Sequence, residues 1–178
     1  MKNSLSASEP PSKCACHIDI QCQYADINVP GDSILCEWAE KSIHYLVDKN
    51  LLKSIDVEMA VLVVDKGESQ LLNSEYRQQD KPTNVLSFPF ETPDIFKSQQ
   101  QTRILGDIII CAPIIEAEAQ QQNKTLQQHW AHMLVHGILH LLGYDHIEHD
   151  DAKTMEYLEV KILDQLGYPN PYMELPHE

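Results

Sequence analysis

The 178-residue sequence has no uninterrupted apolar segment of the roughly 18 to 20 residues that a membrane-spanning helix needs. Its first sixteen residues also contain no apolar run that could act as a signal peptide. We therefore expect a protein without a membrane partner that works in the cytoplasm. The five cysteines are an odd number without a regular pairing pattern, so we expect reduced thiols.

Positive charge is also scarce. The chain has 13 lysines and arginines against 27 aspartates and glutamates, which gives a net charge of −14. A charge of this sign opposes the attraction to phosphate on which nucleic-acid binding usually depends, so the composition alone does not suggest RNA. An RNA substrate would need a local basic groove, for which the candidates are Arg77, Lys81, Lys97 and Arg103.

Three histidines, by contrast, have a spacing typical of a metal site: His136-x3-His140-x5-His146. A step of four residues puts the first two on the same side of a helix. Gly143 can adopt the left-handed conformation that ends a helix and turns His146 back toward the pair. Three imidazoles leave one coordination position for water, as in catalytic zinc sites. We predict one Zn²⁺ per chain, with another divalent transition metal as the alternative.

The residue after the first histidine bears on the substrate. In metzincin proteases with the same histidine spacing this residue is a glutamate that acts as general base, whereas this chain has Gly137. Three neutral ligands also leave the charge of the metal uncompensated, which suits an anionic substrate such as a phosphodiester. A metalloprotease or amidohydrolase stays an alternative, with Asp145 as a substitute base, although Asp145 is more typical of a cap or turn.

The segment from His136 to His146, with Trp130-Ala-His132 on the preceding turn, resembles the YbeY family of bacterial single-strand endoribonucleases, also called rRNA maturation factors. Residues 71–90 and the segment Leu105–Ile110 are similar to two further signatures of that family, and the resemblance covers about residues 17–168. It implies a metal-dependent hydrolase that cuts single-stranded RNA in 16S rRNA 3′-end maturation and ribosome quality control. The implied partners are rRNA and the small ribosomal subunit with its proteins, and no DNA.

Arg77 matches the arginine of the family's Tyr-Arg pair, so the resemblance implies a catalytic role for it. A guanidinium can hold a phosphate through two parallel hydrogen bonds and stabilise charge in the transition state. The general base stays unassigned, and the nucleophile stays open between water and the RNA 2′-hydroxyl. A non-catalytic ribosome-assembly factor is the second alternative, with a structural metal and an acidic surface that meets basic ribosomal proteins.

Other histidines and cysteines have a spacing that is less specific for a metal site. His129 and His132 share a helical face with His136 and His140, and His132 is either a group in contact with a ligand or an ordinary surface histidine. Cys14-x-Cys16-His17 together with Cys22 lacks the spacing of a zinc finger, so we do not expect these four residues to bind a metal.

Hydrophobic periodicity gives the element order βαβαββααα. This order predicts an α+β domain with one small mixed sheet of about four strands, packed with helices, and the metal-bearing helix in a cleft. The resemblance implies a zincin-like core. We expect a flexible N-terminal tail at residues 1–16, one catalytic domain at 17–168 and a short C-terminal tail at 169–178.

Overall fold

The computed structural model describes residues 14–53, 55–97 and 101–173. The predicted order of elements is confirmed, with one addition: a four-residue helix lies between the third and fourth strands, in a polar, proline-containing segment without helical periodicity. In chain order the elements are β1 (Cys16–Cys22), α1 (Asp32–Asp48), β2 (Asp56–Val64), α2 (Lys66–Arg77), β3 (Val85–Pro89), α3 (Asp94–Lys97), β4 (Thr102–Cys111), α4 (Ala112–Gln121), α5 (Leu126–Leu141) and α6 (His149–Gln165).

The strands form one four-stranded mixed sheet in the order β1-β2-β4-β3. β1 pairs with β2 and β2 pairs with β4 in parallel, while β3 pairs with β4 in the antiparallel direction at the edge. Parallel neighbours cannot be joined by a tight turn, so α1 serves as the crossover between β1 and β2. The predicted α+β class with a small mixed sheet is therefore confirmed.

Alternating side chains give the sheet two apolar faces of unequal size. Val57, Val61 and Val63 of β2, with Ile108 and Ile110 of β4, face the main core, which also contains the buried sides of α1, α5 and α6. The opposite face carries a smaller cluster formed by Val64, Leu86, Ile109 and Cys111, against which Leu72 of α2 packs. The main core is therefore enclosed by the sheet on one side and by helices on the other.

α5 is the central helix of the main core, and eleven of its sixteen residues are buried. It begins with a capping box at Thr125: the Thr125 side chain accepts a hydrogen bond from the Gln128 backbone, and the Gln128 side chain accepts one from the Thr125 backbone. A helix that is buried on most sides is held rigidly, so the residues that it carries have fixed positions.

Residues 1–13 of the predicted N-terminal tail and 174–178 of the predicted C-terminal tail lie outside the described residues. Cys14 is buried and β1 already begins at Cys16. Near the other end, Tyr172 donates a hydrogen bond to Glu159 of α6. Within the described residues, no helix has the length and apolar character needed to cross a bilayer.

Candidate metal centre

His136, His140 and His146 come together, as their spacing predicts. Each offers a ring nitrogen, and these nitrogens lie within 4.8 Å of one another. The Nε2 atoms of His136 and His140 are 3.0 Å apart, and the His146 ring lies 5.2 Å and 5.6 Å from the other two ring centres. The three side chains form a group that could hold a metal ion.

The turn after α5 brings the third histidine to the other two. Gly143 has a φ of +91°, the left-handed conformation predicted for it. Its N–H donates to the His140 carbonyl at 3.0 Å, and the N–H of Tyr144 donates to the Leu139 carbonyl at 3.0 Å, so the last carbonyls of the helix are satisfied. Asp145 is a turn residue rather than a helix cap, and its side chain accepts the N–H of His146 at 2.6 Å.

Glu159 of α6 fixes the orientation of the first histidine. Its Oε1 lies 2.6 Å from His136 Nδ1, and only 1% of the residue is exposed. Burial raises the pKa of the Glu159 carboxyl, but hydrogen bonds from His132 and His136 outweigh this and lower the pKa to about 2. Because the carboxyl is ionised it can only accept, so His136 Nδ1 carries the proton and Nε2 is free to bind a metal.

The chemistry of the three donors fits a divalent metal. Nitrogens bound tetrahedrally to zinc at about 2.0–2.1 Å would lie about 3.3 Å apart, which is close to the 3.0 Å between His136 and His140. Burial, together with the charges of His136 and His146, lowers the pKa of His140, so its ring is neutral at pH 7 and can ligate. The side chain of His146 is 58% exposed, which leaves the site open to solvent on that side.

His129 and His132 are buried, so the surface alternative for His132 is wrong. His132 Nε2 lies 3.3 Å from Glu159 Oε2, on the same carboxylate that holds His136. His129 contacts a different carboxylate, because its Nε2 lies 2.7 Å from Glu118 Oε2. The row of histidines on α5 therefore divides into ligand candidates near its end and groups paired with carboxylates nearer its beginning.

Gly137 occupies the position of the metzincin general base, and the packing explains why it has no side chain. A Cβ atom there would lie 2.9 Å from Ile108 Cγ2 and 3.0 Å from Ile108 Cδ1. Ile108 is fully buried in β4, so any side chain at position 137 would point into the sheet. The interpretation that no carboxylate from this position serves the site is thus supported by the close approach of α5 to β4.

Arg77 is the last residue of α2, and two hydrogen bonds through β3 connect it to α5. Its Nη2 donates to the Ser87 carbonyl at 3.1 Å. The Ser87 hydroxyl donates in turn to the Gly137 carbonyl at 3.3 Å, next to the first histidine. The Arg77 guanidinium also lies over the Phe88 ring at 6.0 Å. Arg77 is thus exposed but anchored on the strand that packs beside α5.

An open groove of about 1240 Å³ borders the turn at the end of α5. Leu141, Leu142 and Gly143 form one wall, and the segment from Pro89 to Lys97 forms another. Of the basic residues considered above, Lys97 and Arg103 line this groove together with Lys53, although Asp94 pairs with Lys97. Glu91 also lines the groove, so three basic residues stand against two carboxylates and leave a small positive excess in a chain that is acidic as a whole.

The fold and the site together define a class: an α+β protein with a small mixed sheet, in which a histidine group at the end of a central helix could bind a metal. The chain belongs to the YbeY family, since the model described as "Endoribonuclease YbeY" matches residues 19–167. The resemblance stated from the sequence is confirmed, and this family consists of hydrolases that cut RNA in ribosomal-RNA processing.

A solved structure supports the same assignment. The chain is similar to TM1509 from Thermotoga maritima, known from a solution structure, with a TM-score of 0.54 and 25% sequence identity. The similarity covers 92% of this chain and 99% of that one. The two proteins therefore share their architecture over nearly their full lengths.

The sequence alone did not reveal the contacts made by Glu159, Tyr172 and Ser87. Glu159 lies between Met155 and Ile162 on the side of α6 that faces the core, where a carboxylate is rare unless it is paired. That position was a detectable signal that Glu159 has a buried polar partner. Met155 packs in the core, as its helical spacing predicts.

Proposed function

We propose that this protein is a cytoplasmic, zinc-dependent endoribonuclease specific for single-stranded RNA, which acts in 16S rRNA 3′-end maturation and ribosome quality control through one catalytic domain at residues 17–168. The observation that carries the proposal is the pairing of Glu159 with His136, which prepares one member of a three-histidine group to ligate. Family membership supports RNA as the substrate.

In this proposal His136, His140 and His146 hold the metal, one ion at this site in each chain. A bound zinc ion would supply a Lewis acid able to lower the pKa of a water molecule and polarise a phosphate oxygen. Glu159 keeps His136 in the tautomer that ligates. Arg77 binds the scissile phosphate and offsets the charge that develops on it. Its hydrogen bond to β3 holds the guanidinium in place.

The groove beside the α5 turn is the proposed path of the RNA strand. Lys53 and Arg103 contribute positive charge there, and Phe90, which is half exposed, offers a face on which a base can stack. Single-stranded RNA fits this surface because unpaired bases can reach an aromatic ring while the phosphates contact the cations.

The test compares His140→Ala with His149→Ala, a control because His149 is exposed at the start of α6 and is not a member of the group. We expect His140→Ala to lose cleavage of a single-stranded RNA by at least two orders of magnitude and to lose the metal ion held by the α5 histidines, while His149→Ala keeps both. Retained cleavage in His140→Ala would contradict the proposal.

A second candidate function, a ribosome-assembly factor without catalysis, is favoured by the net charge of −14, which suits docking on basic ribosomal proteins. The same variant separates the two functions. If His140→Ala loses cleavage but still associates with the small subunit, the proposal of an enzyme is supported. Equal loss of cleavage and association would support a structural metal.

A further inference from the structure

A second group of metal-binding side chains lies at the start of β1, on a different element from the histidines of α5. The Sγ atoms of Cys14 and Cys16 and a ring nitrogen of His44 lie within 4.8 Å of one another. Cys16 Sγ is 3.9 Å from His44 Nε2. Cys14 is buried with 6% of its surface exposed, and the other two residues are partly buried.

The fold selects this set from the cysteines and histidines near the N-terminus. Successive side chains of a strand point to opposite faces, so His17 faces away from Cys16 and lines the far side of the sheet. Cys22 lies six residues further along, about 20 Å away at 3.3 Å per residue. α1 packs across β1 and supplies His44 instead, so the structure replaces the combination with His17 and Cys22 by one that the sequence did not indicate.

We propose that Cys14, Cys16 and His44 form a second metal site, specific for a thiophilic ion, with zinc as the physiological candidate. Two thiolates and one imidazole are typical zinc ligands, and their two negative charges balance a divalent cation in a partly buried place. The histidines of α5 bring no charge, so the two sites differ in their preferred ions. This inference is independent of the proposed ribonuclease activity.

The distances require only a small adjustment. A sulfur and a nitrogen bound tetrahedrally to one zinc ion are about 3.6 Å apart, against 3.9 Å between Cys16 Sγ and His44 Nε2. His44 Nε2 hydrogen-bonds to the Cys14 carbonyl at 3.1 Å, and ligation would replace this bond.

Cys14 and Cys16 lie at the beginning of β1 and His44 lies on α1, so the three side chains join two elements. The expected role of the ion is to tie the beginning of β1 to α1.

The experiment is a cobalt titration of the full-length, reduced, metal-free protein. Thiolate ligands give Co²⁺ an intense charge-transfer absorption in the near ultraviolet that imidazole ligands do not give. We expect this band to be saturated by two equivalents per chain, because the histidines of α5 also take up cobalt, to be saturated by one equivalent in His136→Ala, and to disappear when Zn²⁺ is added. The same band should persist in His136→Ala, because that variant affects the other site only.

Three variants decide the assignment. Cys16→Ser and His44→Ala should weaken cobalt binding in this band by more than about 100-fold, beyond the loss typical of outer contacts. Cys22→Ser is the matched control, since Cys22 is exposed and outside the group, and it should leave the titration unchanged. Absence of the band in the wild-type protein, its survival in Cys16→Ser or its loss in Cys22→Ser would each overturn the proposal.

Discussion

A single carboxylate, that of Glu159, connects two histidines of α5 and a tyrosine near the end of the described chain. Glu159→Gln keeps the size of the side chain but removes the charge that holds the proton on His136 Nδ1. We expect metal affinity at the α5 histidines to fall by about 10- to 100-fold, the usual effect of losing an outer partner of a ligating histidine. Competition with a chromophoric chelator measures this.

The control for that variant is Glu156→Gln, which changes an exposed carboxylate on the same helix. It should leave the affinity within experimental error. If both variants lose affinity equally, the effect belongs to the charge of α6 as a whole and not to the contact with His136.

Arg77 offers a second test on one side chain. Arg77→Lys keeps the positive charge but loses the planar guanidinium that can bind a phosphate with two hydrogen bonds. We expect kcat for cleavage of single-stranded RNA to fall by about 100-fold, as on removal of one donor that stabilises transition-state charge. Metal content and thermal stability should stay unchanged.

Lys49→Gln, on an exposed lysine after α1, provides the comparison for Arg77→Lys and should cleave at the wild-type rate. If Arg77→Lys has the kcat of the wild-type protein, Arg77 takes no part in the reaction. A fall in activity that follows a fall in melting temperature would instead assign Arg77 to the support of β3 through Ser87.

The sequence distance between partners decided which site residues could be predicted. His136, His140 and His146 are separated by one helical turn and one short loop, so local rules bring them together. Glu159 lies 23 residues after His136, and His44 lies 28 residues after Cys16. Contacts of that range depend on how helices cross, which no local spacing specifies.

Among the elements, β4 depends on one glycine. Gly106 has a φ of +129° and lies at an irregularity where the register between β2 and β4 shifts. A Cβ atom there would lie 2.0 Å from the Phe88 carbonyl oxygen of β3. This explains the glycine in the segment from Leu105 to Ile110, because both the backbone angle and the neighbouring strand exclude a side chain.

Gly106→Ala should therefore lower the free energy of unfolding by more than about 2 kcal/mol, from backbone strain and displacement of β3. Chemical denaturation measures the change. Gly31→Ala is the control for the added volume, since no atom lies within 4 Å of a Cβ at Gly31, and a loss below about 1 kcal/mol is expected because Gly31 is the N-cap of α1. An equally small effect at Gly106 would mean that β3 is free to shift.

Element boundaries were predicted best where local signals agree. The helical spacing of the apolar residues Leu35, Ile43 and Leu46 predicts α1, which spans Asp32–Asp48, and Thr125 is a typical capping residue directly before α5. The position of β3 at the sheet edge, beside β4 and antiparallel to it, has no local signal. It follows from packing of Leu86 and Phe88 against the smaller core, which becomes visible only in three dimensions.

For the molecule as a whole, the question is how a chain of charge −14 binds a polyanion. The groove beside the α5 turn carries Lys53, Lys97 and Arg103 against Glu91 and Asp94, a small positive excess in a chain that is acidic as a whole. Such a distribution repels RNA at long range and attracts it at one place, so weak binding of free RNA and selection by a docking partner are expected together.

Salt dependence measures how many phosphates the groove contacts. For single-stranded RNA the logarithm of the binding constant should fall linearly with the logarithm of salt concentration, with a slope of about −0.7 for each phosphate neutralised. Lys53→Gln combined with Arg103→Gln should therefore make the slope shallower by about 1.4 if each cation holds one phosphate. Lys41→Gln, which removes an exposed lysine paired with Glu37 on α1, should leave the slope unchanged. A phosphate bound in this groove must release its counterions there. The RNA strand would therefore take another path if the slope of the wild-type protein were near zero, or if the variants had the same slope as the wild type.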